Sequence, residues 1–128
     1  MTASHFIDAI KVAVHDSAIS GVEQTLLIPS GRKPPANITE VAHWFSTLNN
    51  EERNHIHKIV AMSVHAGVFG MLAVLDGVRS IQDNEERGQL LLTISDGTET
   101  QLINDPSEEM LHDIYQSKVY DDIFKNRG

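Results

Sequence analysis

The sequence predicts an α+β fold, mostly helical: about four helices packed round a central helix at about 50–76, with a β-hairpin at about 89–103 before the C-terminal helix. Three observations carry it. Apolar residues recur at the 3.6-residue period in four separate stretches. Asn or Asp followed three residues later by Glu, the pattern that caps a helix start, stands before three of them (Asn37/Glu40, Asn49/Glu52, Asp105/Glu108). Asp96-Gly97 divides two β-prone runs, as a tight hairpin turn does. With 128 residues and no internal repeat, residues 1–128 read as a single globular domain.

The first helix is expected from about Ser4 to Ala18, with Phe6, Ile7, Ile10, Ala13 and Val14 on its apolar side and Gly21 as a stop. Thr25-Leu26-Leu27-Ile28 could form a short strand. The Pro-rich stretch around Gly31-Arg32-Lys33-Pro34-Pro35 is a loop, because proline removes donors and blocks helical backbone. Asn37 is expected to cap a second helix carrying Ile38, Val41, Ala42, Phe45 and Leu48, with Trp44 to the side.

The third helix is expected to open at Asn49 and to bear Ile56, Ile59, Val60, Val64, Val68, Met71, Leu72 and Leu75. Ser63, Gly67, Gly70 and Gly77 form a second line of small residues. A glycine costs about 1 kcal/mol of helix propensity against alanine, and close approach of another backbone is the usual compensation. The helix therefore reads as the buried centre of the fold. It ends at Asp76-Gly77 or runs on to Ile81. In the hairpin, a two-residue turn would pair Thr93 with Thr100 and Leu91 with Leu102, placing Leu90, Leu92 and Ile94 on one face. A lone hairpin is marginal in water, so it must pack on a helix or recruit Thr25–Ile28 as a third strand. Asp105 is expected to cap the last helix, with Pro106 at its first position.

The net charge of −8 is uneven. Residues 1–80 carry 6 basic and 7 acidic side chains; residues 81–128 carry 4 and 11. Such acidity disfavours duplex DNA and anionic lipid, which are bound by neutralising phosphates. No cysteine is present, which excludes disulfides, thiolate metal sites and cysteine nucleophiles. The first residues lack the basic and apolar regions of a secretory signal. The 17 residues Ile59–Leu75 contain no Asp, Glu, Lys or Arg and reach the lower length limit of a membrane span. They lack flanking basic clusters and aromatic belts, so a soluble, cytoplasmic protein is expected.

Seven histidines call for a test of metal and acid–base chemistry. Glu-x-x-His occurs at Glu40/His43, Glu52/His55 and Glu109/His112. Residues three apart share a helix face, which is how di-metal bundles use this motif. Here each pair falls near a helix start, where Glu40 and Glu52 already serve as capping acids. His57 and His65 share a face but stand about 12 Å apart along a helix and cannot hold one ion together. The weak metal candidates are thus His55, His57, His65, His112, Glu52 and Glu109, and no cofactor is expected. His15-Asp16 and His112-Asp113 match the dipeptide of one phosphohydrolase class, without its further ligands. No phosphate-binding loop or nucleophile elbow is present.

Several segments together resemble a group of small bacterial proteins with no assigned activity. They are Gly31-Arg32-Lys33-Pro34-Pro35, Trp44-Phe45 with Leu48-Asn49, Val68-Phe69-Gly70 running into Leu75-Asp76-Gly77-Val78-Arg79, and Leu111-His112-Asp113-Ile114-Tyr115. The resemblance spans roughly residues 30–116, implies a bacterial, cytoplasmic origin and transfers no functional residue.

The leading expectation is a non-enzymatic protein-interaction module, immunity-, antitoxin-like or regulatory, that binds a basic partner through Glu85, Glu86, Glu99, Asp121 and Asp122. The alternatives are a His/Glu metal-dependent enzyme and a homo-oligomeric structural protein that uses the small-residue face of the third helix or the hairpin edge.

Overall fold

A computed structural model describes residues 1–29, 31–82 and 88–125. The elements run α1 (Ala3–Ile10), a π-helical stretch (Lys11–Asp16), α2 (Ser17–Leu27), α3 (Ala36–Ser46), α4 (Asn50–Leu75), β1 (Thr93–Ser95), β2 (Thr100–Leu102) and α5 (Leu111–Phe124). The architecture is α+β and mostly helical, with the hairpin before the last helix.

The first helix is longer than its local stop signal. Thr2 caps it by accepting the His5 amide, and the backbone stays helical past Gly21 to Leu27. Thr25–Leu27 are therefore helix and do not add a third strand: the sheet among the described residues has two strands. Between α1 and α2 the turn widens. Residues five apart stack in a π-helix, and Lys11 Nζ meets the Asp16 carboxylate at 3.1 Å across that spacing. The widened turn carries His15, which is buried.

Asn37 does not cap α3. The helix starts one residue earlier, at Ala36, with Pro35 in extended conformation before it. Proline at that position sacrifices an amide that would be unpaired anyway. α4 starts as expected and ends at the earlier of its two expected stops. Asn49 Oδ1 accepts the Glu52 amide at 2.8 Å and Glu52 Oε1 accepts the Asn49 amide at 2.9 Å. At the other end Gly77 adopts a positive φ of 80°, which stops the helix after Leu75.

The hairpin register differs from the expected one by two residues. Thr93 faces Leu102 and Ser95 faces Thr100, leaving a four-residue loop, Asp96–Glu99. The Asp96 carboxylate organises it, accepting the amides of Glu99 and Thr98 and the Thr98 hydroxyl within 2.9 Å. Those donors hold the Asp96 carboxyl down at about 2. Buried Asn104 ties the hairpin to α4: it donates to the carbonyls of Leu75 and Leu90 and accepts the Leu92 amide.

The start expected for α5 is displaced. Asp105 closes a turn through Ser107 instead, and the helix begins at Leu111. Its cap comes from Asp76 at the end of α4, whose carboxylate accepts the amides of Leu111 and His112 at 3.0 and 2.8 Å. The core gathers Ile7, Leu72, Ile103, Leu111, Ile114, Tyr115 and Val119. It lies between α1, α5 and one side of α4, with the hairpin closing one end. α2 and α3 form a second layer, where Phe45 is buried under Arg53.

Candidate functional site

Three arrangements bring polar or uncovered groups together. The first is a stack of rings between α4 and α5. Tyr115 is fully buried, and its ring lies 5.5 Å from that of His65 and 5.6 Å from that of His15. The Tyr115 hydroxyl shares a 2.6 Å hydrogen bond with His15 Nδ1. Burial lowers the His15 pKa and raises that of Tyr115, so both are neutral at pH 7. His65 Nε2 donates to Gln116 Oε1 at 2.6 Å, and Phe69 and Phe124 flank its ring. The hydrogen bonds of this stack join its side chains to one another and to Gln116. The arrangement fixes the packing of α5 on α4 and on the π-helical turn.

The second is a buried clasp at the α4–α5 corner. Besides capping α5, Asp76 Oδ2 accepts from His112 Nδ1 at 2.5 Å. Both side chains are largely shielded, Asp76 to 4% exposure. A carboxylate bound to two backbone amides and an imidazole is saturated, so it acts as a structural hinge pin.

The third is an open cleft of about 780 Å³ beside α2, α4 and the end of α5, lined by His15, Asp16, Glu23, His57, Lys58 and Asp122 among others. Glu23 and His57 pair across it. This couple is open to solvent, and Ser20 and Asn54 line the same cleft.

The metal candidates are not brought together. His55 is exposed on α4, His57 pairs with Glu23, His65 with Gln116 and His112 with Asp76. Glu52 is occupied at the α4 cap and Glu109 is exposed before α5. Among the described residues no group of three or more His, Asp or Glu side chains has the spacing to hold a metal ion.

The described acidic candidates fall on different elements. Glu85 and Glu86 lie outside the described residues. Glu99 sits in the hairpin loop, before the start of α5, whereas Asp121 and Asp122 lie in its last turn. The 14 residues of that helix span about 20 Å. Asp121 is paired with Lys125.

What sequence reasoning placed wrongly is the environment of α4. It is not buried all round. Ala61, His65, Leu72 and Ala73 are covered, but Ile59, Met62 and Met71 are 57–59% exposed, and Ser63, Ala66 and Gly67 between them are exposed too. Only 22% of its most apolar window is buried, and the helix is long and apolar enough to cross a membrane by length and composition. The expected close approach of another helix does not occur at Gly67, where an added Cβ would meet nothing within 4 Å. Gly70 is instead covered by the Arg79 side chain.

The whole chain exposes 9114 Å². That is roughly a third more than the about 6,800 Å² that size scaling gives a compact monomer of this mass. No family model matches the chain, and no curated protein or solved structure matches it either.

Proposed function

We propose that the protein is a non-enzymatic interaction module whose docking surface is the uncovered apolar face of α4. The observation that carries this reading is the exposure of Ile59, Met62 and Met71, together with Ser63 and Gly67, on a helix without charge between residues 59 and 75. Soluble monomers bury contiguous apolar surface of this kind, and those that expose it use it for contact. The acidic residues would then set solubility and encounter rather than form the docking patch.

The absence of native cysteine makes the test clean. Ser63→Cys places a nearly isosteric thiol on the face, and Ser117→Cys places one on the exposed side of α5 as a reference. In concentrated native extract at low salt, the thiol at 63 should react with a bulky maleimide several-fold more slowly than the thiol at 117. After denaturation the two should react alike. Equal reactivity in native extract would show the face bare and would sink the proposal.

A further inference from the structure

We infer that the occupant of the α4 face is a second copy of this chain, packed antiparallel on a twofold axis near the level of His65. The inference rests on the reading of that face as a docking surface. Its first support is the order of residues along the exposed ridge. Ile59, Ser63, Gly67 and Met71 are spaced four apart and all exposed. Their sizes read large, small, small, large, the same in both directions about position 65.

An isologous interface requires this kind of self-complementarity, because residue i meets residue j of the partner and j meets i. Ile59 would face Met71 of the other copy, and Ser63 would face Gly67. Ridges of residues four apart interlock at a crossing angle near −50°, the commonest helix packing in globular proteins. The small pair at the centre lets the two backbones approach, and the large residues close over them on either side.

Charge supports the same occupant. Each chain carries a net charge of −8, concentrated in residues 81–128, while residues 59–75 carry none. Two copies can meet along the ridge without a charge of residues 59–75 between them, the Arg79 guanidinium over Gly70 lying beside the ridge. An anionic membrane would meet the same −8 unfavourably, and inserting α4 would strip its covered side from α5. A basic partner finds no carboxylate along the stripe.

Gly67 supplies the third support. In the single chain it weakens the helix and touches nothing, whereas in the pair it sits at the point of closest approach.

The test uses the full-length protein, beginning with sedimentation equilibrium across a wide concentration range. The expected mass is twice 14.2 kDa, falling to the monomer value on dilution. Gly67→Arg should abolish the dimer. Gly67→Ala, which meets no neighbour in the single chain, should raise the midpoint of unfolding at low concentration while weakening association about tenfold or more.

Orientation is read by a short cross-linker between thiols. Antiparallel packing holds positions 59 of the two chains about 18 Å apart by helix rise, so Ile59→Cys alone should not cross-link. A mixture of Ile59→Cys and Met71→Cys chains should. Cross-linking of Ile59→Cys alone would overturn the antiparallel arrangement.

A purified wild type that stays monomeric at its solubility limit would overturn the self-association outright. If Ser63→Cys is nevertheless protected in extract, the docking surface stands and its occupant is another molecule. If the monomer sediments with phosphatidylglycerol-containing vesicles, that occupant is a lipid surface. If the thiol is unprotected as well, both readings fall together.

Discussion

The two long sides of α4 are nearly equal in apolar content and opposite in environment. One side presents Ala61, His65, Val68 and Leu72 to α5 and the core. The other presents Ile59, Ser63, Gly67 and Met71 to solvent. Hydrophobicity along the helix therefore does not tell which side is satisfied within the chain. What distinguishes them is polar punctuation. The covered side carries a histidine bonded to Gln116 and ring-stacked on Tyr115, so it is specified for one neighbour. The bare side carries small residues and no fixed polar partner from elsewhere in the chain. Its Ser63 hydroxyl turns back to the Ile59 carbonyl of its own helix.

The largest effect expected from this contrast is on the covered side. Tyr115→Ala removes a fully buried ring and should cost about 4 kcal/mol in urea unfolding. At protein concentrations low enough to keep the chain monomeric, Met71→Ala on the bare side should stay within about 0.5 kcal/mol. Comparable losses from the two variants would erase the distinction.

Next in size is the clasp that holds the covered side in place. Asp76→Ala deprives α5 of the carboxylate that accepts two of its amides and one imidazole, a loss of about 2 kcal/mol. Site-resolved amide hydrogen exchange should show the damage as fraying of α5 rather than of α4. A variant as stable as the wild type would mean that water caps the helix equally well.

The glycines sharpen the comparison at a smaller scale. Gly67→Ala should stabilise the monomer by about 1 kcal/mol, because helix propensity rises and nothing obstructs the methyl group. Gly70→Ala should gain less, since its Cβ would press within 2.5 Å of the Arg79 guanidinium and displace it. Equal gains at the two positions would show that Arg79 does not rest on α4 in solution.

The smallest expected effect is a pH dependence on the covered side. Burial holds the folded His15 pKa below its ordinary 6.5, so the unfolded chain takes up a proton more readily. The contribution of neutral His15 is complete above 6.5 and declines as the pH falls through 6.5 toward the folded value. The difference in unfolding midpoint between the wild type and His15→Gln should therefore shrink on acidification. A gap that widens would show that charged His15 is the form the fold prefers.

Local signals were legible where the residues that form a feature are neighbours in the chain. The Asn49–Glu52 box fixed the start of α4, Gly77 was one of two readings of its end, and the α+β class followed from periodicity and the Asp96-Gly97 turn. Three other features depended on partners far along the chain or on competition between local options. The cap of α5 is Asp76, 35 residues upstream of Leu111, and the apparent capping box at Asp105 went to a turn. Asp96 could serve a two-residue or a four-residue loop, and its bonds to Thr98 and Glu99 selected the longer one. Gly21 looked like a helix stop, yet glycine only permits a stop and does not impose one.

The His15–Tyr115–His65 stack had no sequence signature at all, because it joins residues 50 and 100 positions apart. The small-residue line on α4 was visible in the sequence. Its reading as a close helix contact failed at Gly67 because periodicity reports that a face is apolar, not whether the rest of the chain covers it.

The central claim is that the bare side of α4 is completed by another copy of the same helix. Urea unfolding at two widely separated protein concentrations, for wild type and Gly67→Ala side by side, tests it most directly. Self-association predicts a wild-type midpoint that rises with concentration. It also predicts a Gly67→Ala midpoint that is higher than wild type at the low concentration and nearly unchanged at the high one. Midpoints independent of concentration for both chains would contradict it.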